Sequence, residues 1–395
     1  MNKVVPLAKE IVRRSKTGTV PARLTGSVSD IVAALRPADP LYVIWPDRIK
    51  ATATAFMQAF PGESLFAVKT NPQETVLRAL YQAGMKGFDA ASLDEIRLVR
   101  RVAKKARIHF MHTVKSPEAI RTAYFDYGVR DFALDTFDEL QKILTQTRDA
   151  TDLNLCVRFA LPKNDKAAID FSAKFGALPQ EAALLLRHAR PYSAKLGLCF
   201  HVGTQTTDPA VYDRAIGVSA DIIRKSGVTV DMLDVGGGFP VAYPDETVPS
   251  IASCMHTITR SLKAHTLESL TLLAEPGRAL VAESGCLIAR VELRKGNMLY
   301  LNDGTYGGLF DAGPLLKTRF PVRAHRPHEA LSPHMAAFRF AGPTCDSLDM
   351  MAGPFMLPAD IRMGDWIEIG NLGAYSQSLR TNFNGFGACD TVCLY

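Results

Sequence analysis

Between Leu65 and Glu275 the sequence repeats one unit: a short apolar run, a polar residue at its end, then a stretch of helical period. Eight such runs occur, at 65–68, 87–90, 108–112, 131–135, 155–159, 197–202, 232–235 and 272–275. Helical patterns such as 92–103, 117–127, 137–147, 179–190 and 208–226 lie between them. Apolar runs this short that do not alternate with polar residues read as strands buried on both faces, as in a parallel sheet covered by helices. Strand–helix alternation alone fits a doubly wound sheet as well as a barrel. The even count, and the polar residue that ends nearly every run, favour a (β/α)8 TIM barrel.

Outside that repeat the texture changes. Helical patterns are expected at 6–16 and around 28–35, and Leu41-Tyr-Val-Ile-Trp45 reads as a strand stopped by Pro46. Beyond Arg278, the segments 281–293, 298–301, 338–341 and 366–369 read as strands between Gly and Pro turns, a smaller β-domain of sandwich or barrel type. The expected division is a barrel over 46–280 and a β-domain over 281–395, with residues 1–45 packing on the latter. The segment 319–335, rich in Pro and Pro-His turns, reads as a long exposed loop.

Composition narrows the function. A chain of 395 residues, 47% hydrophobic and 22% charged, has the make-up of an ordinary globular protein. Its net charge of +6 is spread along the chain, which argues against a nucleic-acid surface. Residues 1–16 carry charges throughout and do not read as a secretory signal. No apolar run reaches the length of a membrane helix. Seven scattered cysteines without a Cys-x-x-Cys pair speak against a disulfide framework or a metal site and fit a reducing cytoplasm.

Chemistry concentrates at the strand ends. In Ser64-Leu-Phe-Ala-Val-Lys-Thr-Asn-Pro72 the first barrel strand delivers an amine, Lys69, to its C-terminal mouth, where barrel active sites lie. Read alone, that lysine could equally be a surface residue. The sixth strand ends in His201-Val-Gly-Thr-Gln205, and the seventh in Asp234-Val-Gly-Gly-Gly-Phe-Pro240. Consecutive glycines let backbone N–H groups close on an anion such as a phosphate. The eighth strand ends in Ala274-Glu-Pro-Gly-Arg278, so Glu275 and Arg278 could be a structural ion pair. Asp89 and Arg158 also end strands and, without further context, read as a structural charge pair. In the β-domain, Gly342-Pro-Thr-Cys-Asp-Ser-Leu-Asp349, Gly373-Ala-Tyr375 and Asn382-Phe-Asn-Gly-Phe386 stand out.

In order and spacing these motifs resemble the fold-type III pyridoxal-phosphate (PLP) decarboxylases of ornithine, lysine and diaminopimelate, with the likeness running from Lys69 to Phe386. The resemblance implies a PLP enzyme in which Lys69 carries the cofactor covalently and His201 covers its ring. It also implies that Thr204 (where a serine is common), Gly236, Gly237, Gly238, Arg278 and Tyr375 take its phosphate. Asp89 and Arg158 are implied near the lysine and the ring oxygen. Glu275 would hold a proton on the ring nitrogen, where alanine racemases, which share the barrel, place an arginine. Cys345 would be the proton donor, contributed by the second subunit of a homodimer.

Cys345-Asp346-Ser347 resembles the ornithine type, since diaminopimelate decarboxylases have Cys-Glu-Ser. This points to ornithine decarboxylation to putrescine, a step of polyamine biosynthesis, with Asp346 facing the distal ammonium. The family's second substrate-binding acid lies in a region that is shorter and rewritten here, where Asp311 stands as its candidate. Lysine, arginine and other diamino acids therefore remain open as substrates. A non-catalytic regulatory homologue, like the antizyme inhibitors, would be expected to have lost the cofactor residues, which this chain keeps.

Overall fold

The computed structural model describes residues 22–161 and 174–395. The helix expected at 6–16 lies outside them. The chain divides into two compact units, one of Ala51–Val241 and Thr247–Leu280, the other of Met1–Lys50, Ala242–Glu246 and Val281–Tyr395.

In chain order, β1 (Ala22–Leu24) and β2 (Leu41–Ile44) come first and belong to the second of these units. The next eight strands are β3 (Glu63–Ala67), β4 (Gly87–Ala90), β5 (Arg107–Phe110), β6 (Asp131–Leu134), β7 (Leu153–Arg158), β8 (Ser193–Cys199), β9 (Met232–Asp234) and β10 (Thr271–Ala274). Each pairs in parallel with the next, and β10 pairs with β3 to close the barrel. This is the eightfold barrel expected from the repeat. Several strands stop short of the expected run, because the backbone turns as soon as the polar residue is reached. Thus β3 ends at Ala67, and Val68–Thr70 forms a single 3-10 turn. Ser92, Ser116, Thr136 and Ser250 each start a covering helix by accepting a backbone N–H three residues on, from Glu95, Ala119, Glu139 and Ser253.

Register sorts the barrel's side chains into layers, because residues two apart on a strand share a face. At the N-terminal end Arg107 bonds both oxygens of Asp131, at 3.1 and 2.6 Å, and reaches Glu63 at 3.3 Å. Leu65, Met232 and Leu273 pack together one step further along β3, β9 and β10. The next step brings Asp89, Asp234 and Glu275 to the C-terminal end. On the outward faces, aromatic pairs such as Phe66–Phe88 and Phe110–Phe132 span neighbouring strands.

The remaining strands are β11 (Gly285–Lys295), β12 (Met298–Leu301), β13 (Val322–His325), β14 (Met335–Ala341), β15 (Met350–Pro358), β16 (Trp366–Ile369) and β17 (Asp390–Leu394). With β1 and β2 they form a nine-stranded mixed sheet of order β1-β17-β2-β11-β12-β14-β15, with β16 paired to β11 and β13. Leu24, Ile31 and Val43 belong to one buried cluster with Ile288, Trp366 and Val392. The segment read as a long loop contains β13, whose partner β16 lies some forty residues on. No hairpin turn joins the two, so nothing local announces the pairing.

One buried ion pair braces the barrel. The side chains of Lys115 and Glu139 are 0% and 4% exposed and meet at 2.9 Å. The Lys115 ammonium also donates to the carbonyls of Ala133 at 2.6 Å and His112 at 2.8 Å. Burial pushes its pKa down to about 8. Glu139→Gln removes the carboxylate that meets this ammonium and that of Lys142, a loss of about 3–5 kcal/mol. We expect a lower thermal midpoint, with a larger drop at neutral pH than well above pH 8, where Lys115 sheds its proton.

Candidate active site

The turn after β3 carries Lys69 away from the barrel wall, closed by the Asn71 N–H donating to Val68 O at 3.1 Å. Its Nζ lies 3.7 Å from Oδ2 of Asp89, whose side chain is 4% exposed while that of Lys69 is 48% exposed. The pairing of Ala67 with Asp89 in adjacent strands puts the two ends side by side. Glu275 follows β10 and donates its N–H to Gly236 O at 2.8 Å. Asp234 ends β9 fully buried, its Oδ1 accepting the Gly236 N–H at 2.8 Å.

These acids crowd one another. Burial first, and then the charges of Asp234 and Asp89, drive the pKa of Glu275 well above the carboxylate range, with Lys69 pulling the other way. Asp234 is pushed up to about 7, again by burial first; the Gly236 N–H and a bond with Glu275 oppose that rise, and Asp89 adds to it. Beside them Glu95 accepts the Ala91 N–H at 2.7 Å and rises to about 7 through burial.

His201 follows β8 and accepts the Gly203 N–H on Nδ1 at 3.0 Å. Burial holds its pKa well below the usual value, and the charges of Arg158 and Lys69 add to this. The ring is therefore neutral, and its proton sits on Nε2. Arg158 ends β7, with its guanidinium carbon 5.2 Å from the ring centroid of Phe175. Thr204 is half-buried in the loop after β8, and Arg278, 8% exposed, opens the short helix Arg278–Val281.

The glycine turn leaves no room for side chains. Gly236 and Gly238 have φ of +68° and +94°, a region that costs other residues strain. A Cβ on Gly237 would stand 2.7 Å from Glu275 O and 3.2 Å from His201 Nε2. Next to Gly238, the buried Thr206 hydroxyl has no hydrogen-bond partner among the described residues.

The other expected residues lie in the β-unit. Asp349, 2% exposed, knits two of its segments together. One oxygen accepts Thr305 N and Oγ1 at 2.7 and 3.0 Å, the other Thr344 N and Oγ1 at 3.1 and 2.8 Å. Cys345 follows, exposed. Asp346 accepts the Leu348 N–H at 2.9 Å and the Tyr306 hydroxyl, which together hold its carboxyl below the usual range. Asp311 is buried in the turn Phe310–Ala312. Tyr375 has a left-handed backbone, with φ of +54°.

Residues 46–282 match the pyridoxal-binding domain of the pyridoxal-dependent decarboxylases. The chain belongs to the fold-type III PLP-dependent basic amino-acid decarboxylases. Decarboxylase flvG of Aspergillus flavus is 32% identical over 81% of this chain and 77% of that protein. The lysine/ornithine decarboxylase of Selenomonas ruminantium is 28% identical over 91% of this chain and 90% of its own length. The agmatine-bound arginine decarboxylase of Paramecium bursaria Chlorella virus superposes with a TM-score of 0.80 at 28% identity, over 93% of this chain and 99% of that one.

The barrel mouth of this decarboxylase suits PLP. It combines an amine beside a carboxylate, an acid whose pKa is raised, a neutral imidazole, and a glycine cradle that any Cβ would fill. The sequence reading brought Lys69, Asp89, His201, Glu275 and the glycines to this end, but it gave Asp234 and Glu95 no part. An aspartate closing an apolar strand just before three glycines was the available signal for Asp234.

Asp234 binds its proton more tightly folded than unfolded. Its share of cofactor-free stability is therefore fully present below the ordinary aspartate pKa of about 4 and is lost as pH rises through about 7. Asp234→Asn keeps an oxygen for the Gly236 N–H and removes that titration. In the protein freed of cofactor, the thermal midpoint of Asp234→Asn should fall less across this window than that of wild type. Parallel curves would show that Asp234 ionises in the fold as it does in water.

Proposed function

We propose that this enzyme decarboxylates a basic amino acid with a distal amine, L-ornithine foremost, to give putrescine and CO2. The observation that carries this reading is Asp346. Its carboxylate is kept ionised by the Leu348 N–H and the Tyr306 hydroxyl, next in the chain to Cys345. A fixed, partly open carboxylate is what a distal ammonium requires. Asp311, buried within its own turn, is the weaker of the two candidate acids.

When bound, PLP supplies an electron sink for the charge left on Cα as the carboxylate departs. Lys69 would hold the cofactor covalently, with Asp89 and Arg158 beside it. Gly236, Gly237, Gly238, Thr204, Arg278 and Tyr375 would take its phosphate. His201, neutral, would cover the ring without adding charge. Glu275, whose burial favours its protonated form, would keep a proton on the ring nitrogen. Cys345 would deliver the proton to Cα. A cytoplasmic location suits seven cysteines with no pairing pattern.

The deciding experiment compares CO2 release from ornithine, lysine, arginine and diaminopimelate. Ornithine should have the highest kcat/KM, and Asp346→Ala should raise its KM at least about tenfold, the loss expected for a charge-assisted hydrogen bond, while PLP is retained. Diaminopimelate as best substrate would overturn the reading.

Lys69 and Cys345 belong to different units of the chain. We place them in one site across a two-fold homodimer, each subunit supplying one of the pair. Lys69→Ala and Cys345→Ala chains, inactive separately, should regain activity when mixed under subunit exchange, to at most about half the wild-type value per mixed dimer. If exchange is demonstrated and the mixture stays inactive, the site is not shared.

A further inference from the structure

The segment Asn382-Phe-Asn-Gly-Phe386 has no part in the chemistry above, yet it is the element that closes on Cys345. It forms a tight turn over Phe383–Gly385, in which Asn384 has φ of +52° and ψ of 13°. Asparagine is among the few residues other than glycine that take this left-handed form readily. Its side chain folds onto the cysteine. The single oxygen Oδ1 accepts the Cys345 backbone N–H at 3.2 Å and the thiol at 3.2 Å. One acceptor thus fixes both the cysteine's backbone and the direction of its S–H.

The turn is itself anchored. Thr381 donates its N–H to Tyr306 O at 2.9 Å and its hydroxyl to the same oxygen at 3.1 Å. Thr381 Oγ1 accepts the Phe383 N–H at 3.2 Å, and the Phe383 ring lies 4.9 Å from that of Tyr306. The Tyr306 hydroxyl in turn holds Asp346. Asn384, Cys345, Asp346 and Tyr306 therefore form a closed circuit, braced from beneath by Asp349 through Thr305 and Thr344.

We infer that Asn384 is the positioning residue for the Cys345 thiol, fixing the side-chain rotamer from which the proton leaves sulfur. This rests on the reading of Cys345 as the donor to Cα. In that step the S–H bond breaks and a C–H bond forms at Cα, and the thiolate regains its proton from solvent. Asn384 touches neither substrate nor cofactor in this assignment and acts through the cysteine.

The test uses the full-length, PLP-loaded enzyme. Asn384→Gly keeps the left-handed turn and removes the acceptor, whereas Asn384→Asp restores an oxygen at the same reach. Asn384→Gly should lose about 10- to 100-fold in kcat, the scale of a small misplacement of a reacting group. Its KM and cofactor absorbance should stay within about twofold of wild type. Asn384→Asp should recover most of the loss.

Alkylation of Cys345 by iodoacetamide, followed by peptide mass spectrometry at one fixed pH, reads the thiol without turnover. Its rate should change severalfold in Asn384→Gly and return towards wild type in Asn384→Asp. The double variant Cys345→Ala/Asn384→Gly should be no slower than Cys345→Ala alone, because residues acting through one another are not additive. Unchanged kcat in Asn384→Gly beside a crippled Cys345→Ala would overturn the positioning role alone, as would additive losses. Wild-type kcat in Cys345→Ala would overturn the donor assignment itself.

Discussion

Three carboxyl groups, those of Asp89, Asp234 and Glu275, share one end of a closed barrel with the ammonium of Lys69. Asp89 and Asp234 are buried there, so the charged forms lose solvation and repel one another. At two of them the balance moves towards the protonated form: burial dominates the rise in pKa at both Asp234 and Glu275. A mouth that stores protons in this way is matched to a ligand whose basic nitrogen needs one. The layering below contributes, because Leu65, Met232 and Leu273 separate this end from the ion pairs of Arg107.

The β-unit treats buried acids in the opposite way. Asp349 is as inaccessible as Asp89, but it meets four donors on Thr305 and Thr344. Asp303, also buried, is paired with Arg380 and accepts the N–H groups of Gly304 and Gly308. These carboxylates, like Asp131 and Glu139 of the barrel unit, are saturated with partners and serve as rivets. Asp234 and Glu275 at the barrel mouth are less well provided and remain available for proton chemistry.

The barrel was legible because most of its strands are buried on both faces and lead into a polar residue, so composition and period agree along the repeat. The β-unit was less so: β13 and β17 pair with distant segments and carry no turn signature. Among the candidate site residues, those at strand ends could be picked out by position, and the barrel brings them together. What a sequence does not display is the field at each of them. The high proton affinity of Asp234 arises only when closure sets β9 beside β10, and nothing around Glu95 marks its raised pKa. The hold of Asn384 on Cys345 was hidden for another reason, since it depends on a non-glycine residue adopting a left-handed turn.

The place of β17 in the sheet bears on how the chain can be assembled. It lies between β1 and β2 and is parallel to both. Two strands made before the barrel are therefore bridged by one made after it. During synthesis the barrel has all its strands while the other sheet still has a gap in its middle. Until that gap is filled, the facing edges of β1 and β2 present unpaired amide and carbonyl groups, which other strands could occupy. The pairing that fills the gap joins β2 to residues made some 350 positions later, so it is the last contact of this sheet that the chain can form.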